Sequence, residues 1–307
     1  QPCETGTVPE KTLTFTIENE GDLVNKLYLE FTYNNGIPEN VANPTSRAIK
    51  YVTLKTTAGA QLDKQSGLFM EVWAELTQYN PSGTVGILHK KNRKFGDLAT
   101  ADELEQRSLV GTLYQKMSGM GGVRPMEHTE DIKPNDDYKF VVPLNFWFSR
   151  NTGLAIPYLK FPQDNKLQVE VILDPLVFPS DGVSVNLKVE YIVLGVTERT
   201  TFTKQNKLEY LIETVEEIDV SLPSPEVEGG ISKLLFSETG LKAGPIKELI
   251  WVQGDNFYSV PNVPTGNISG NLTSLKGTYS IGVDGTNVLV NESHNFFTRK
   301  QVYDYHS

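Results

Sequence analysis

The sequence predicts an all-β protein made of antiparallel sheets packed face to face. Three observations predict it. Apolar residues recur at every second position in several separate runs, turn-forming pairs punctuate those runs, and helical periodicity is confined to short stretches. With 307 residues, 38% of them hydrophobic and 21% charged, the chain has the material for one large β-domain or two mid-sized ones.

The elements follow in order. In Lys11–Ile17, Leu13, Phe15 and Ile17 interleave with Thr12, Thr14 and Thr16. Lys26–Tyr33 presents Leu27, Leu29, Phe31 and Tyr33 on one side. Leu167–Leu173 presents Leu167, Val169, Val171 and Leu173, and Leu187–Val193 presents Leu187, Val189, Tyr191 and Val193. Successive side chains of a strand point to opposite faces, so each run reads as a strand with one buried and one wet face. Asn34-Asn35-Gly36, Asp181-Gly182 and Asp284-Gly285 supply turns. Leu68, Phe69, Val72, Trp73 and Leu76 stand at helical spacing and predict a short amphipathic helix near 67–78. Thr100-Ala-Asp-Glu103 is a capping box that opens a second helix near 101–108, and a third is expected near 204–211. Segment 176–182, with Pro179, Asp181 and Gly182, is the best linker. The expected halves are therefore 1–175 and 176–307, the second opening with a strand at Ser184.

The same residues weigh against enzyme chemistry. Net charge is −10 and no polybasic run exists; His89-Lys-Lys-Asn-Arg-Lys94 reads as a solvated loop rather than a nucleic-acid patch. The lone Cys3 forms no intrachain disulfide and no metal centre. His89, His128, His294 and His306 are scattered without metal-ligand spacing. Asp131, Asp136 and Asp137 share one long loop, the place a calcium ion would take, but the expectation is that no metal or cofactor is bound. Glu216-Glu217 and Asp136-Asp137 are adjacent and face opposite ways in a strand, unlike the facing carboxyl pair of a glycosidase. No nucleophile elbow, phosphate loop or dinucleotide fingerprint is present, so no catalytic residue is assigned. No stretch reaches the roughly 18 to 20 apolar residues of a membrane span, and the N-terminus lacks a signal-peptide pattern.

One segment stands out. Pro143-Leu-Asn-Phe-Trp-Phe-Ser-Arg-Asn-Thr-Gly-Leu-Ala-Ile-Pro157 resembles the signature run of the major capsid proteins of large double-stranded DNA viruses, through Phe146, Trp147, Phe148, Arg150, Asn151, Gly153, Leu154, Ala155 and Pro157. Further stretches resemble that family in the same order: Asn19–Thr32, Gln61–Gln65 with Met70–Thr77, Glu198–Phe202, Glu209–Glu213, Lys247–Gln253 and, more weakly, Ile281–Tyr305.

The resemblance implies two antiparallel eight-stranded jelly-roll β-sandwiches side by side, with short helical insertions. At 307 residues the completeness of the second stays open. It implies a structural homotrimer, a pseudo-hexagonal capsomer of an icosahedral shell, assembled in the host cytoplasm. Partners would be neighbouring capsomers and minor capsid proteins. Nucleic acid would not be touched, and an inner membrane only indirectly. A minor capsid or scaffold protein on the same fold is the nearest alternative. A carbohydrate-binding β-sandwich and a β-sandwich hydrolase are the others.

Within the signature, alternation puts Phe146 and Phe148 on one face and Trp147 on the other, as packing residues. Arg150 either pairs with a carboxylate at the joint between the halves or is exposed. Asn151 and Gly153 serve turn geometry. Trp73 and Trp251 are expected in the core. Asn267, Asn271 and Asn291 head formal N-glycosylation triplets, which a cytosolic assembly route would leave unmodified.

Overall fold

The computed structural model describes residues 11–34, 45–78, 113–120, 138–174, 183–218, 245–252, 278–283 and 286–306. The strands are β1 (Lys11–Thr16), β2 (Leu23–Tyr33), β3 (Ile49–Thr56), β4 (Gln61–Ser66), β5 (Tyr138–Leu144), β6 (Leu167–Leu173), β7 (Val183–Ile192), β8 (Thr278–Val283) and β9 (Thr286–Ser293). The α-helices are α1 (Gly67–Thr77), α2 (Leu113–Ser118), α3 (Trp147–Arg150), α4 (Val196–Lys204) and α5 (Val302–His306).

Seven strands form two sheets, in the orders β1-β6-β3-β4 and β5-β2-β7, with every neighbour antiparallel. The two sheets enclose one core. Leu27, Leu29, Phe31 and Tyr33 of β2 meet Leu167, Val169, Val171 and Leu173 of β6 there, all at 0–1% exposure. These are the inner faces that the alternation marked. The period is two, so a one-residue slip of either strand would put the whole set in water, and the register is fixed by burial. Val52 and Leu54 of β3 and Phe140, Val142 and Leu144 of β5 complete the core. Leu13 and Phe15 pack at its margin, and Ile17 is buried just past β1.

Helix α1 follows β4 without a loop. Ser66 caps it by accepting a hydrogen bond from the Phe69 amide at 3.0 Å. Its first residue must be glycine: a Cβ on Gly67 would lie 1.9 Å from the Ser46 carbonyl oxygen and 2.3 Å from that of Ile49. The buried side of α1 is Gly67, Met70, Glu71 and Ala74. The apolar stripe expected to face the core, Trp73 included, is only half-buried on the adjoining side.

Three expectations need correction. The strand at Ser184 does not open a second unit, because β7 pairs with β2 from Val183 to Ile192 and completes the first sandwich. Its face of Val183, Val185, Leu187, Val189 and Tyr191 packs against the shared core, while Val193 lies beyond the strand and is 72% exposed. The third helix runs over Val196–Lys204 and stops where the sequence placed its start; Glu198 turns back to accept the Gly195 amide at 3.0 Å and fixes the earlier beginning. Trp251, expected in the core, is outside the shared core and half-buried. It packs in a separate aromatic cluster with Tyr279 of β8 and Phe297, at centroid distances of 6.1 and 4.9 Å.

Seven strands thus belong to the first sandwich among the described residues. Beyond it stands the hairpin β8–β9, with Val283 opposite Thr286 on either side of Asp284-Gly285. The expected helix at 101–108 and the linker at 176–182 lie outside the described residues.

Candidate functional site

The signature segment starts on β5, an edge strand, where Pro143 costs no inner ladder bond. The chain leaves the strand after Leu144. Phe146 keeps an extended backbone, and Trp147–Arg150 then make one turn of helix, α3. This overturns the strand-like alternation. The turn brings all three aromatic rings inward: Phe146 and Phe148 are fully buried and Trp147 is 8% exposed. Phe146 and Phe148 stack at 6.0 Å, and Trp147 stands edge-on to Phe148 at 5.3 Å.

The second half of the segment is a connector. Asn151 Oδ1 accepts the Gly153 amide at 2.9 Å, closing the turn that its residue type suggested. Leu154 packs at the core margin and Ala155 is buried. Ile156 exchanges both backbone hydrogen bonds with Val24, each 2.9 Å, which ties the segment to β2. Pro157 leads into a short 3-10 turn that buries Tyr158. The Tyr158 hydroxyl donates to the Ile17 carbonyl at 2.5 Å, tying the segment to the end of β1. The run therefore knits both sheets at one end of the sandwich.

Arg150, partly buried, carries the segment's contact with a later stretch of the chain. Nε donates to the Asn145 carbonyl at 3.0 Å, which aims the guanidinium. Nη1 pairs with Glu213 Oε2 at 3.2 Å, and the guanidinium lies 4.8 Å above the Trp73 ring. The pairing alternative thus holds, and with a residue beyond the first sandwich. Burial pulls the Arg150 pKa down, while Glu213, Asp63 and Glu248 oppose that pull. Lys247 pairs with the other oxygen of Glu213. His306 Nε2 lies 2.6 Å from Glu248 Oε1, and its ring meets Trp73 edge-on at 6.3 Å. Three stretches from the C-terminal part, around Glu213, Lys247 and His306, so converge on Trp73 and Arg150. Sequence reasoning had Trp73 as core and gave no sign of His306, because their meeting depends on long-range topology.

This arrangement holds chain segments together; it brings no nucleophile against a base. Among the described residues, no three His, Cys, Asp or Glu side chains gather to hold a metal. In a shallow hollow lined by Asn19, Glu20, Gly21, Asp22, Leu159, Arg199 and Thr203, the Asp22 carboxylate and the Arg199 guanidinium are already paired at 2.8 Å. Asn291, with φ of 53°, is exposed on β9 and donates its amide to Ser280 Oγ at 2.9 Å. Asn267, Asn271, Cys3, His89, His128 and the loop carboxylates Asp131, Asp136 and Asp137 lie outside the described residues.

A family model described as "Major capsid protein N-terminus" matches residues 4–188, from before β1 into β7. The chain belongs to this major capsid protein family. The major capsid protein of Pyramimonas orientalis virus is 25% identical over 306 residues, covering 96% of this chain and 63% of the relative. That of Phaeocystis pouchetii virus is 25% identical over 316 residues, covering 92% and 56%. Capsid protein 1 of Acanthamoeba polyphaga mimivirus is 24% identical over 279 residues, covering 83% and 40%. The chain thus spans about three fifths of the length of the first two relatives.

Among solved structures, PBCV-1 VP54, fitted into a reconstruction of the virophage Sputnik, matches with a TM-score of 0.56 at 17% identity. It covers 95% of this chain and 70% of VP54. A chain of the quasi-atomic model of the PBCV-1 virus capsid matches with a TM-score of 0.54 at 18% identity, covering 95% and 70%. At these identities the likeness is one of fold, and it extends past the first sandwich.

Proposed function

We propose that the protein is a shell subunit of a large double-stranded DNA virus, a structural major capsid protein with no catalytic role and no cofactor. The observation that carries the reading is the coincidence of the family match over 4–188 with the seven-stranded sandwich and its signature segment. In this reading the complete fold is two eight-stranded jelly rolls. The first sandwich extends to Ile192, because β7 belongs to its sheet, and the second unit lies beyond. Three copies form a closed trimer whose six similar barrels give a pseudo-hexagonal outline. A threefold ring needs one heterologous interface used three times. Obligate interfaces of this sort commonly bury more than about 2,000 Å².

Such capsomers tile the facets of the virion after assembly in the host cytoplasm. They meet one another and minor capsid proteins, do not bind nucleic acid directly, and touch an inner membrane only through intermediaries. Individually weak lateral contacts become strong by repetition around each capsomer, while staying weak enough to correct a misplaced unit. Sedimentation of the purified protein at micromolar concentration tests the reading: a trimer supports it, and a folded monomer overturns it.

A further inference from the structure

Between the end of β7 and residue 218 the chain crosses the surface of the first sandwich without joining either sheet. Apolar burial along it is incomplete. From 205 to 218 no residue is fully buried: Leu208 and Val215 are half-buried, Tyr210, Ile212 and Ile218 keep 36–41% of their surface, and Leu211 is 92% exposed. Polar anchors add to these partial contacts, at intervals along its length. The Leu194 amide donates to Asp22 Oδ2 at 2.8 Å, and Arg199 pairs with the same oxygen at 2.8 Å. Lys160, three residues past the signature's Pro157, donates to the Gln205 carbonyl. Arg150 takes Glu213, and Asp63 Oδ1 accepts the Val215 amide at 3.0 Å.

We propose that residues 194–218 are a polar strap that orients the C-terminal part of the chain on the first sandwich, with Asp63 and Arg150 as its positioning residues. Asp63 is the clearest case. It is 3% exposed on β4, with no ion pair among the described contacts, and its oxygens take three N–H donors: Lys64, Gln65 Nε2 and Val215. A buried carboxylate is seldom worth more to a sandwich than an apolar residue of the same size. Capture of a backbone amide from another segment is what an apolar residue could not do. Arg150 adds the second fixed point from the signature loop, and its orientation is set within that loop by the Asn145 carbonyl. Two residues of matched elements thus read the strap two positions apart, at 213 and 215, which fixes its direction as well as its place. The signature run would therefore serve inter-unit geometry beyond packing its own core. This inference does not depend on the trimer.

Hydrogen–deuterium exchange of the purified protein tests it, with peptides from 205–218 compared against β6 (167–173) as the internal reference for the sandwich. In Arg150→Met and Asp63→Leu, exchange of the strap peptides is expected to quicken by at least about tenfold, the loss for one hydrogen bond to a charged group. β6 is expected to stay protected, and Arg150→Lys is expected to restore part of what Arg150→Met loses. Glu213→Gln tests the same contact from the strap side, where the side chain is half-exposed and no folding defect is expected. Unchanged strap exchange in Glu213→Gln and Asp63→Leu overturns the proposal. So does loss of protection that is equal in β6, which would mean general destabilisation. A wild-type protein that sediments as a monomer with a protected strap would leave the strap standing and remove the capsomer reading.

Discussion

Truncating Phe148 tests the packing of the signature segment. The side chain is fully buried, stacks on Phe146 at 6.0 Å and takes the edge of Trp147 at 5.3 Å. Removing the ring loses its transfer free energy and leaves a cavity. It also loses two aromatic contacts, each worth about 0.5–1.5 kcal/mol within that total. The ring sits in the shared core, its helical turn packed on β2, so collapse around the gap is limited. Phe148→Ala should therefore cost about 3–5 kcal/mol, the usual range for a buried aromatic. Urea unfolding followed by tryptophan fluorescence and far-ultraviolet dichroism measures it, with Trp147 as the local reporter. Leu211→Ala, at a 92% exposed position, is the control and should stay within about 0.5 kcal/mol of wild type. A loss below about 1 kcal/mol for Phe148→Ala would refute the burial argument and the helical turn that produces it.

Three other perturbations separate backbone, charge and ion effects. Gly67→Ala should abolish soluble folded protein or lower the melting temperature by many degrees, because its Cβ would meet two backbone carbonyl oxygens at 1.9 and 2.3 Å; near-normal melting would contradict the tight junction of β4 and α1. The Arg199 side chain and the Leu194 amide hold the Asp22 carboxyl below its ordinary value of 3.8. Its folded pKa is depressed, so its stabilisation is present above about pH 4 and lost as pH falls through the folded value. Asp22→Asn should thus cost about 1 kcal/mol at neutral pH, with the gap to wild type closing in acid; a constant gap would refute the charge argument. Finally, chelator treatment should leave the melting temperature unchanged, whereas a drop of several degrees would show a bound ion contributing to the fold.

The first sandwich was legible because burial follows the two-residue period. Leu27 to Tyr33 and Leu167 to Leu173 point where alternation puts them, and the helical spacing of Leu68, Phe69, Val72, Trp73 and Leu76 marks α1. Alternation fails at Phe146-Trp147-Phe148 for a local reason: the chain has already left β5, and a helical turn buries neighbours that a strand would separate. The placing of the strand at Ser184 failed for a topological one. Turn residues mark a break in the chain, but which sheet receives the next strand depends on pairing, and β7 returns to β2 over a separation of about 160 residues. The Arg150 contact was half legible. Its residue type left a carboxylate partner and plain exposure equally open, and Glu213, Trp73 and Asp63 are gathered by folding and share no sequence spacing.

The central claim is that this chain builds a threefold capsomer, and imaging the purified protein by negative-stain electron microscopy tests it most directly. The account predicts flat particles with a pseudo-hexagonal outline and threefold symmetry in class averages. Compact single-chain particles without threefold symmetry, from protein whose sandwich is folded by dichroism, would contradict it.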